Sequence, residues 1–344
     1  MKNWSADEPL HLVITMPVFR DWDVAAVLCQ QIDHQLGEIE WADVRILLVD
    51  DGSPEPLTGW TPFTPAHISR IDVLQLRRNM GHQRAIAMGL CLIQSEIECD
   101  AVLVMDADGD DRAEDVVRLM RQFREHPGAI IFASRHKRFE SVVFRLGYWG
   151  YRLLHRMLTG IAVREGNFSI VPRAAVRRLV VMSELWNHYA GAIHKSKLPF
   201  VRIGVDRGRR LGGQSHMDLV ALVVHGLSGI STFYDVVATR ILIASVASVF
   251  VLVLALAAVV IIRLGTHLAI PGWATFTGGL GLLLVLQFVS MAFSLVFLMI
   301  NTRQNTTVVP ARDYRVFVDT VRRMWTGAAL AAAPAAEVAR DASS

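Results

Sequence analysis

Short apolar runs alternate with helix-patterned segments over the N-terminal part of the chain. Apolar runs bounded by turn residues are typical of buried strands, and their alternation with helices predicts a mostly parallel α/β sheet covered on both faces. In such a sheet, ligands bind beyond the carboxyl ends of the strands. The predicted strands are 11–18, 44–49, 71–76, 101–105 and 129–133, and the predicted helices lie around 25–36, 83–94 and 111–119.

Two much longer apolar segments follow residue 240. Residues 241–262 carry no charge between Arg240 and Arg263, and residues 274–300 are interrupted only by Gln287 and a few Ser and Thr. Each segment is long enough to cross a bilayer at about 1.5 Å per residue. Most nearby arginines lie outside the pair rather than in the link between them, so the positive-inside rule predicts a hairpin with both chain ends cytoplasmic.

The segments that flank this hairpin have helical patterns as well. Apolar residues recur near helical spacing over 217–239, which predicts an interfacial helix that leads into the first span. Periodicity alone would equally fit an amphipathic helix packed on a soluble domain, and adjacency to the span favours the membrane. After Tyr314 the pattern predicts an arginine-bearing helix, followed from Ala328 by a small, polar tail.

The composition indicates the cellular compartment in which the polar part of the chain lies. The 344 residues are 52% hydrophobic, and the mean hydropathy of +0.35 is high for a wholly soluble protein. Residues 1–9 contain no apolar signal segment, so the polar part is expected to stay in the cytoplasm. The three cysteines, Cys29, Cys91 and Cys99, lack metal-ligand spacing and are expected to be reduced and packed. With a net charge of +3, no nucleic-acid partner is expected.

Two carboxylates follow the fourth predicted strand, at Asp106 and Asp108. Side chains two residues apart in a turn can reach one hard cation, and oxygen ligands select Mg²⁺ or Mn²⁺. An acidic turn that caps the next helix would be the better interpretation of this tripeptide alone. Its position after a strand, together with a second acidic strand end, favours the metal site.

The second acidic strand end is Asp50-Asp51, followed by Gly52. A carboxylate here can accept a hydrogen bond from a nucleobase N–H or a ribose hydroxyl, although the same letters also form plain Asp-Gly turns. Asn79 and Gly81 begin the next helix, where exposed N–H groups favour an anion. Without other signs of a sugar-nucleotide site, the plain turn is the better interpretation of Asp50-Asp51, and the two acidic strand ends together favour a metal site.

Taken in order, these motifs resemble family 2 glycosyltransferases with the GT-A fold. Residues 49–53, 79–89 and 105–108 occur in the order and spacing of that family. Ser134-Arg135, the segment 166–169 and the segment 207–217 before two spans resemble the polyprenyl-phosphate branch. That branch contains dolichyl-phosphate mannose synthase and bacterial undecaprenyl-phosphate glucosyltransferases. The resemblance covers roughly residues 10–315.

The resemblance implies an organisation and a reaction. It implies a Rossmann-like GT-A catalytic domain over 1–216, the interfacial helix over 217–239, a transmembrane hairpin over 240–302 and a cytoplasmic tail over 303–344. The implied reaction is inverting, metal-dependent transfer of a hexose, with UDP-glucose favoured, to a polyprenyl phosphate at the cytoplasmic membrane face. A homo-oligomer is also expected. The alternatives are another donor (GDP-mannose, UDP-GlcNAc or a UDP-amino-arabinose derivative), a hydroxyl acceptor, or a non-catalytic membrane scaffold.

Site residues follow from the resemblance position by position. His216 stands where the family has Lys, which weakens a fixed positive charge at neutral pH. A hydroxyl acceptor would need a base, for which Glu165, Glu184 and His188 are candidates. The expected metal ligands are Asp106, Asp108 and Asp110. The nucleotide sugar is expected at Pro17, Asp50, Asp51, Asn79, Gly81 and Asp106, and the acceptor phosphate at Arg207, Arg210, Ser215 and His216. The expected catalytic residues are Asp106, Asp108, Arg135, Arg207 and Arg210.

Overall fold

A computed structural model describes residues 8–135, 142–160, 165–206, 208, 211–212, 227–266, 272–304 and 308–327, without the side chains of 135, 142–148, 151–152 and 301–304. The strands are β1 (Leu10–Val18), β2 (Ala42–Asp50), β3 (Ile68–Leu76), β4 (Ala101–Val104), β5 (Ile130–Arg135), β6 (Ser169–Pro172), β7 (Phe200–Val205) and β8 (Val318–Thr326). The helices are α1 (Trp22–Leu36), α2 (His82–Glu96), α3 (Ala113–Glu125), α4 (Val142–Thr159), α5 (Arg173–Leu179), α6 (Tyr189–Ser196), α7 (Tyr234–Gly265), α8 (Trp273–Gln304) and α9 (Pro310–Asp313), with 3-10 turns at Ser183–Trp186 and Tyr314–Phe317.

The described strands form one mixed sheet in the order β7-β5-β6-β4-β1-β2-β3-β8. The centre, β4-β1-β2-β3, is parallel, and β5 pairs in parallel with β7. β1 and β2 stay in register until Val18 lies opposite Asp50, so both strands end at the same edge. β4 runs beside β1 until Val104 lies opposite Thr15, which brings the following acidic loop to that edge too.

Alternating side chains of the central strands supply a core on each face of the sheet. Leu12 and Ile14 of β1 belong to one apolar cluster with α1 and α3. Val13, between them, belongs to the other cluster, which includes α2, α5 and α6. Successive strand side chains point to opposite faces, so a strand buried on both sides is apolar at nearly every position. The sheet is therefore covered by helices on both faces, as the sequence predicts.

β6 and β8 depart from the mostly parallel arrangement, since each runs antiparallel to its neighbours. β8 also shows that the helix predicted after Tyr314 is wrong. Val318 to Thr326 instead pair with β3, with Trp325 opposite Ile71. An edge strand with one half-exposed face keeps polar and charged residues. Because Arg322 and Arg323 are among them, the sequence pattern of this segment resembles that of a surface helix.

The chain divides into two compact units. The sheet unit takes in 1–141, 163–232 and 308–344, whereas the helical unit takes in 142–162 and 233–307. Within the helical unit, α7 and α8 are long and apolar enough to cross a membrane, and very few of their residues are buried. They coincide with the two predicted spans. Of the predicted interfacial helix, residues 217–226 lie outside the described residues, and 227–231 are helical.

Candidate active site

The ends of β1 and β2 are joined by hydrogen bonds at the edge where the site is predicted. The Asp51 amide donates to the Val18 carbonyl at 2.9 Å, and the Arg20 amide donates to Ser53 Oγ at 3.0 Å. Arg20 has a φ of 67°, a left-handed conformation that non-glycine residues adopt rarely. The two loops are therefore fixed to each other before any ligand binds.

Asp50, the last residue of β2, has one satisfied and one unsatisfied carboxylate oxygen. Its Oδ1 accepts from the Ser53 amide at 2.9 Å, while Oδ2 is buried with no hydrogen-bond partner among the described residues. Burial raises the pKa of Asp50, and the bonds from Ser53 oppose that shift in part. A buried polar atom without a partner is costly. A ligand N–H or O–H at Oδ2 would remove that cost, which fits the predicted nucleotide contact.

Asp51 differs from Asp50, because both of its carboxylate oxygens accept hydrogen bonds from backbone amides. Met80 N lies 2.7 Å from Oδ1 and Gly81 N lies 2.9 Å from Oδ2. Gly52 beside it has a φ of +69°, and a Cβ there would lie 2.4 Å from the carbonyl carbon of Arg78. Asp51 thus fixes the loop after β3, and its contact with a nucleotide stays a prediction.

Three further residues that are predicted to bind the nucleotide lie in or near this loop. Asn79 is exposed on the loop that Asp51 holds. Gly81 begins α2 with a φ of +90° and open space where a Cβ would stand. Pro17 is buried in β1, opposite Val49. The open side of Gly81 leaves the first turn of α2 accessible to a ligand.

Asp106 is held by side chains rather than by the backbone. Its Oδ1 lies 3.0 Å from His82 Nε2 and 3.3 Å from Asn167 Nδ2. Burial by itself lowers the pKa of His82, but Asp106, followed by Asp108 and Asp51, outweighs this and raises it. A protonated His82 would add positive charge at the edge where the carboxylates meet.

Gln83 and Asn167 are site residues that the sequence reasoning missed. The Tyr189 amide donates to Gln83 Oε1 at 2.7 Å, so the amide nitrogen of Gln83 faces Asn167 Oδ1, at 3.2 Å. This leaves the amide nitrogen of Asn167 facing both His82 Nε2, at 2.9 Å, and Asp106 Oδ1, at 3.3 Å. Both residues lie in segments on which the family resemblance rests, 79–89 and 166–169, and that was the available signal. Asn167 stands just before β6, which pairs with β4 from Ser169 opposite Val104.

The acidic loop after β4 is tied to itself through two short-range bonds. The Asp106 amide donates to Asp111 Oδ2 at 2.9 Å, and the Asp110 amide donates to Asp108 Oδ1 at 3.0 Å. Within the described residues there is no group of three or more His, Cys, Asp or Glu that could hold a metal. Asp106, Asp108 and Asp110 therefore do not converge as a complete protein cage.

The segment after β7 packs against this loop through its backbone. The Leu211 amide donates to the Asp108 carbonyl, and the Gly208 amide donates to the Asp110 carbonyl, both at 3.0 Å. Gly109 has a φ of +83°, and a Cβ there would lie 2.5 Å from Leu211 Cγ. Gly208 and Leu211 are thereby held beside the acidic loop. Arg207, Arg210, Ser215 and His216 lie outside the described residues, as does the side chain of Arg135 at the end of β5.

The candidate bases for a hydroxyl acceptor are all engaged elsewhere. The Glu165 carboxylate is fully buried, lies 2.6 Å from His194 Nε2 and also pairs with Arg202. Lys195 Nζ lies 3.0 Å from Glu184. His188 Nδ1 accepts from the Gly191 amide at 3.1 Å and caps α6. These contacts favour structural roles for all three residues.

A mixed α/β sheet with acidic strand ends and a helix that opens beside them is an arrangement in which nucleotides commonly bind. Residues 13–182 match the sequence model "Glycosyl transferase family 2". The chain carries a family 2 (GT-A) domain and is a glycosyltransferase.

Two relatives from Bacillus subtilis (strain 168) bear the names "uncharacterized glycosyltransferase" YkoT and YkcC. They are 24% and 26% identical to this chain, and each match covers 64% of this chain and 67% of the relative.

Solved structures are more distant. Mannosyl-3-phosphoglycerate synthase from Rubrobacter xylanophilus is 16% identical with a TM-score of 0.43, covering 66% of this chain and 73% of that one. Glucosyl-3-phosphoglycerate synthase from Mycobacterium tuberculosis, in complex with phosphoglyceric acid, is 14% identical with a TM-score of 0.45, covering 66% and 80%.

Proposed function

We propose that the protein transfers a hexose from a nucleotide sugar, with UDP-glucose as the first candidate, to a polyprenyl phosphate at the cytoplasmic face of the membrane. The observation that carries the proposal is the backbone docking of Gly208 and Leu211 on the Asp108 loop. Arg207, Arg209 and Arg210 adjoin these two residues in the sequence. A phosphate acceptor needs positive charge near the reacting centre, and arginine suits phosphate oxygens.

The donor half of the proposal rests on Asp50 and Asp106. The unsatisfied, buried Oδ2 of Asp50 suits a base N–H or a ribose hydroxyl. Asp106 is 25% exposed and follows β4, which β1 separates from β2 in the sheet. A diphosphate would extend toward it from the nucleoside. We assign the nucleoside to the β2 end and the diphosphate to the β4 end.

The donor set fits a divalent cation that arrives with its substrate. Mg²⁺ commonly uses one or two carboxylates and completes its shell with substrate phosphates and water, so a third protein ligand is unnecessary. Asp106 and Asp108 would hold the ion, with Asp110 as a further candidate ligand. The ion would stabilise negative charge on the departing diphosphate.

The proposed transfer reaction does not need a strong base from the protein. The second pKa of a phosphate monoester is about 6, so a lipid phosphate is largely a dianion at neutral pH. We propose that one of its oxygens attacks C1 of the sugar directly as the bond from C1 to the nucleoside diphosphate breaks, with inversion. The engagement of Glu165, Glu184 and His188 in other contacts supports this acceptor over a hydroxyl.

Chain topology supports a hairpin. β7 precedes both apolar helices and β8 follows them, yet β7 and β8 lie in one sheet. Strands of one sheet must be on one side of a membrane, so the chain between them crosses an even number of times. Two spans satisfy this requirement, and we place the sheet and both ends in the cytoplasm by the positive-inside rule.

The test is transfer of radiolabelled sugar to undecaprenyl phosphate in membranes that contain the protein. A panel of UDP- and GDP-sugars is supplied with Mg²⁺ or Mn²⁺, and the Asp108→Asn variant is the inactive control. Label that becomes chloroform-soluble with one donor, and only with the wild-type chain, supports the proposal and identifies the sugar. Donor hydrolysis or transfer to another acceptor, without lipid-linked label, would overturn the polyprenyl-phosphate assignment.

A further inference from the structure

Helix α4 has its polar and apolar sides reversed relative to a helix packed in a soluble protein. His155 and Thr159 are buried at 5% and 4% exposure, and Thr159 Oγ1 donates to the His155 carbonyl at 2.8 Å. Trp149, Leu153 and Met157 are instead 64%, 45% and 67% exposed. A helix in water normally buries such side chains. The outward surface of α4 is therefore suited to an apolar medium.

The exposed apolar residues form one continuous stripe. Trp149, Leu153 and Met157 follow each other at a spacing of four, so they lie along one side of the helix. Leu154, 51% exposed, widens the stripe, and Arg156 is exposed at its border. A tryptophan and an arginine at the edge of an apolar stripe are typical of helices that lie in the headgroup region of a bilayer.

α4 is joined to the first apolar helix within the helical unit. The Arg240 guanidinium, near the start of α7, donates to the Met157 carbonyl at 2.7 Å. A Cβ on Gly160, just after α4, would lie 2.6 Å from the same guanidinium. The C-terminal end of α4 is thus fixed at the end of α7 where the apolar segment begins. If α7 crosses the membrane, this position is the membrane boundary.

We propose that α4 is a membrane-contact surface of this protein, lying in the plane of the cytoplasmic leaflet with Trp149, Leu153 and Met157 in the lipid. The partner is the bilayer itself. This surface is separate from the segment 217–239, for which the sequence predicts an interfacial helix. The inference rests on α7 being a membrane span and is independent of the sugar, the nucleotide and the acceptor.

Site-directed spin labelling of the full chain tests the proposal. The three native cysteines can remain, because they are 9% exposed or less and burial raises the pKa of Cys91 to about 12 and that of Cys99 to about 11. Burial raises the pKa of Cys29 as well. Thiols of this kind react slowly at neutral pH, since the thiolate is the reactive form.

Single cysteines are introduced as Leu153→Cys, Met157→Cys and Arg156→Cys in α4. Phe250→Cys, 65% exposed in α7, is the lipid reference, and Arg121→Cys, whose native side chain is 56% exposed in α3, is the water reference. The protein is reconstituted in vesicles of phosphatidylethanolamine and phosphatidylglycerol. The measurement is the ratio of collision rates with oxygen, which enriches in lipid, and with a water-soluble nickel chelate.

We expect the labels at 153 and 157 to give ratios severalfold above that at 121 and below that at 250, with position 156 lower than 157. Ratios at 153 and 157 equal to the water reference, with a lipid-like Phe250→Cys, would overturn the proposal while leaving the spans intact. A water-like ratio at Phe250→Cys would overturn both. Neither result depends on catalysis, so a failure of this proposal can be distinguished from a failure of the proposed transfer reaction.

Discussion

The acidic ends of β2 and β4 lie at the same sheet edge but are held in different ways. At β2, Asp51 binds two backbone amides and Asp50 binds one, and both residues are buried, at 4% and 0% exposure. At β4, Asp106 is more exposed, and its Oδ1 is approached by His82 and Asn167 side chains. The carboxylates at the β2 end are fixed by the main chain, whereas Asp106 at the β4 end lies in a side-chain network.

This difference separates two functions of a carboxylate. Bonds to backbone amides fix the conformation of a loop, and the resulting geometry hardly depends on whether a ligand is present. Bonds to exposed side chains can be exchanged for bonds to an ion or a phosphate. We therefore expect substitutions at the β2 end to change stability or donor binding, and those at the β4 end to change the rate of transfer.

The largest effect is expected from Asp108→Asn. The asparagine oxygen can still accept from the Asp110 amide, but the negative charge is lost. Removing one preorganised charge from a catalytic site costs on the order of 3 kcal/mol, or ~100-fold in kcat. Transfer rates at saturating donor measure this, with Glu125→Gln on α3 as the matched surface control. A rate within twofold of wild type would show that Asp108 is only a turn former.

Asp51→Asn is expected to act on stability. An amide group offers one acceptor oxygen where Met80 and Gly81 need two, so one buried amide loses its partner. That loss costs about 1–3 kcal/mol, which thermal unfolding of the purified protein measures as a lower Tm.

The matched variant is Asp50→Asn, which keeps the bond from Ser53 through its oxygen. It should leave the Tm nearly unchanged and raise the KM for the donor, because the atom that replaces Oδ2 cannot accept. If Asp50→Asn lowers the Tm more than Asp51→Asn does, the proposed division between the two carboxylates is wrong.

Gln83→Glu addresses the network around Asp106. A glutamate oxygen can still accept from the Tyr189 amide but cannot donate to Asn167, so the amide of Asn167 loses the contact that orients it. Losing this orienting hydrogen bond should raise the activation free energy by about 1 kcal/mol, which corresponds to a fall in kcat of roughly 5- to 10-fold. Gln31→Glu, exposed on α1, is the control for added charge. An unchanged kcat in Gln83→Glu would remove Gln83 from the positioning network.

Ser53→Ala is expected to have the smallest effect. It removes the hydroxyl that accepts from the Arg20 amide and also hydrogen-bonds Asp50, and it leaves the Ser53 amide on Asp50. Arg20 is exposed, so water can replace the hydroxyl, and the cost should be about 1 kcal/mol or less by denaturant titration. A loss comparable to that of Asp51→Asn would mean that the loop after β1 depends on the serine far more than its contacts indicate.

The sequence predicted the centre of the sheet well because those strands are buried on both faces. An apolar run such as that of β1 has no other stable environment in a domain of this size. β6, β7 and β8 were missed because short or edge strands keep mixed polar patterns. Val318 to Thr326 could be recognised only from its pairing with β3, more than 240 residues earlier in the chain.

At the site, local motifs indicated the acidic strand ends but not what their side chains contact. The doublet Asp50-Asp51 looks uniform in sequence, yet one residue clamps a loop and the other leaves an oxygen for a ligand. The relay through Gln83 and Asn167 depends on side chains 84 positions apart. Such partners become visible only when tertiary structure joins them.

The place of β8 in the sheet has a consequence for how the protein is made. The ribosome synthesises both apolar helices before Val318 to Thr326, so the outer edge of β3 stays unpaired until that segment has been made. An unpaired edge invites pairing with another chain. Closing of the sheet thus reports that the hairpin has been synthesised. A nascent chain stalled or cleaved between the two events would carry the exposed edge of β3 as a mark of incompleteness that cellular quality control can recognise.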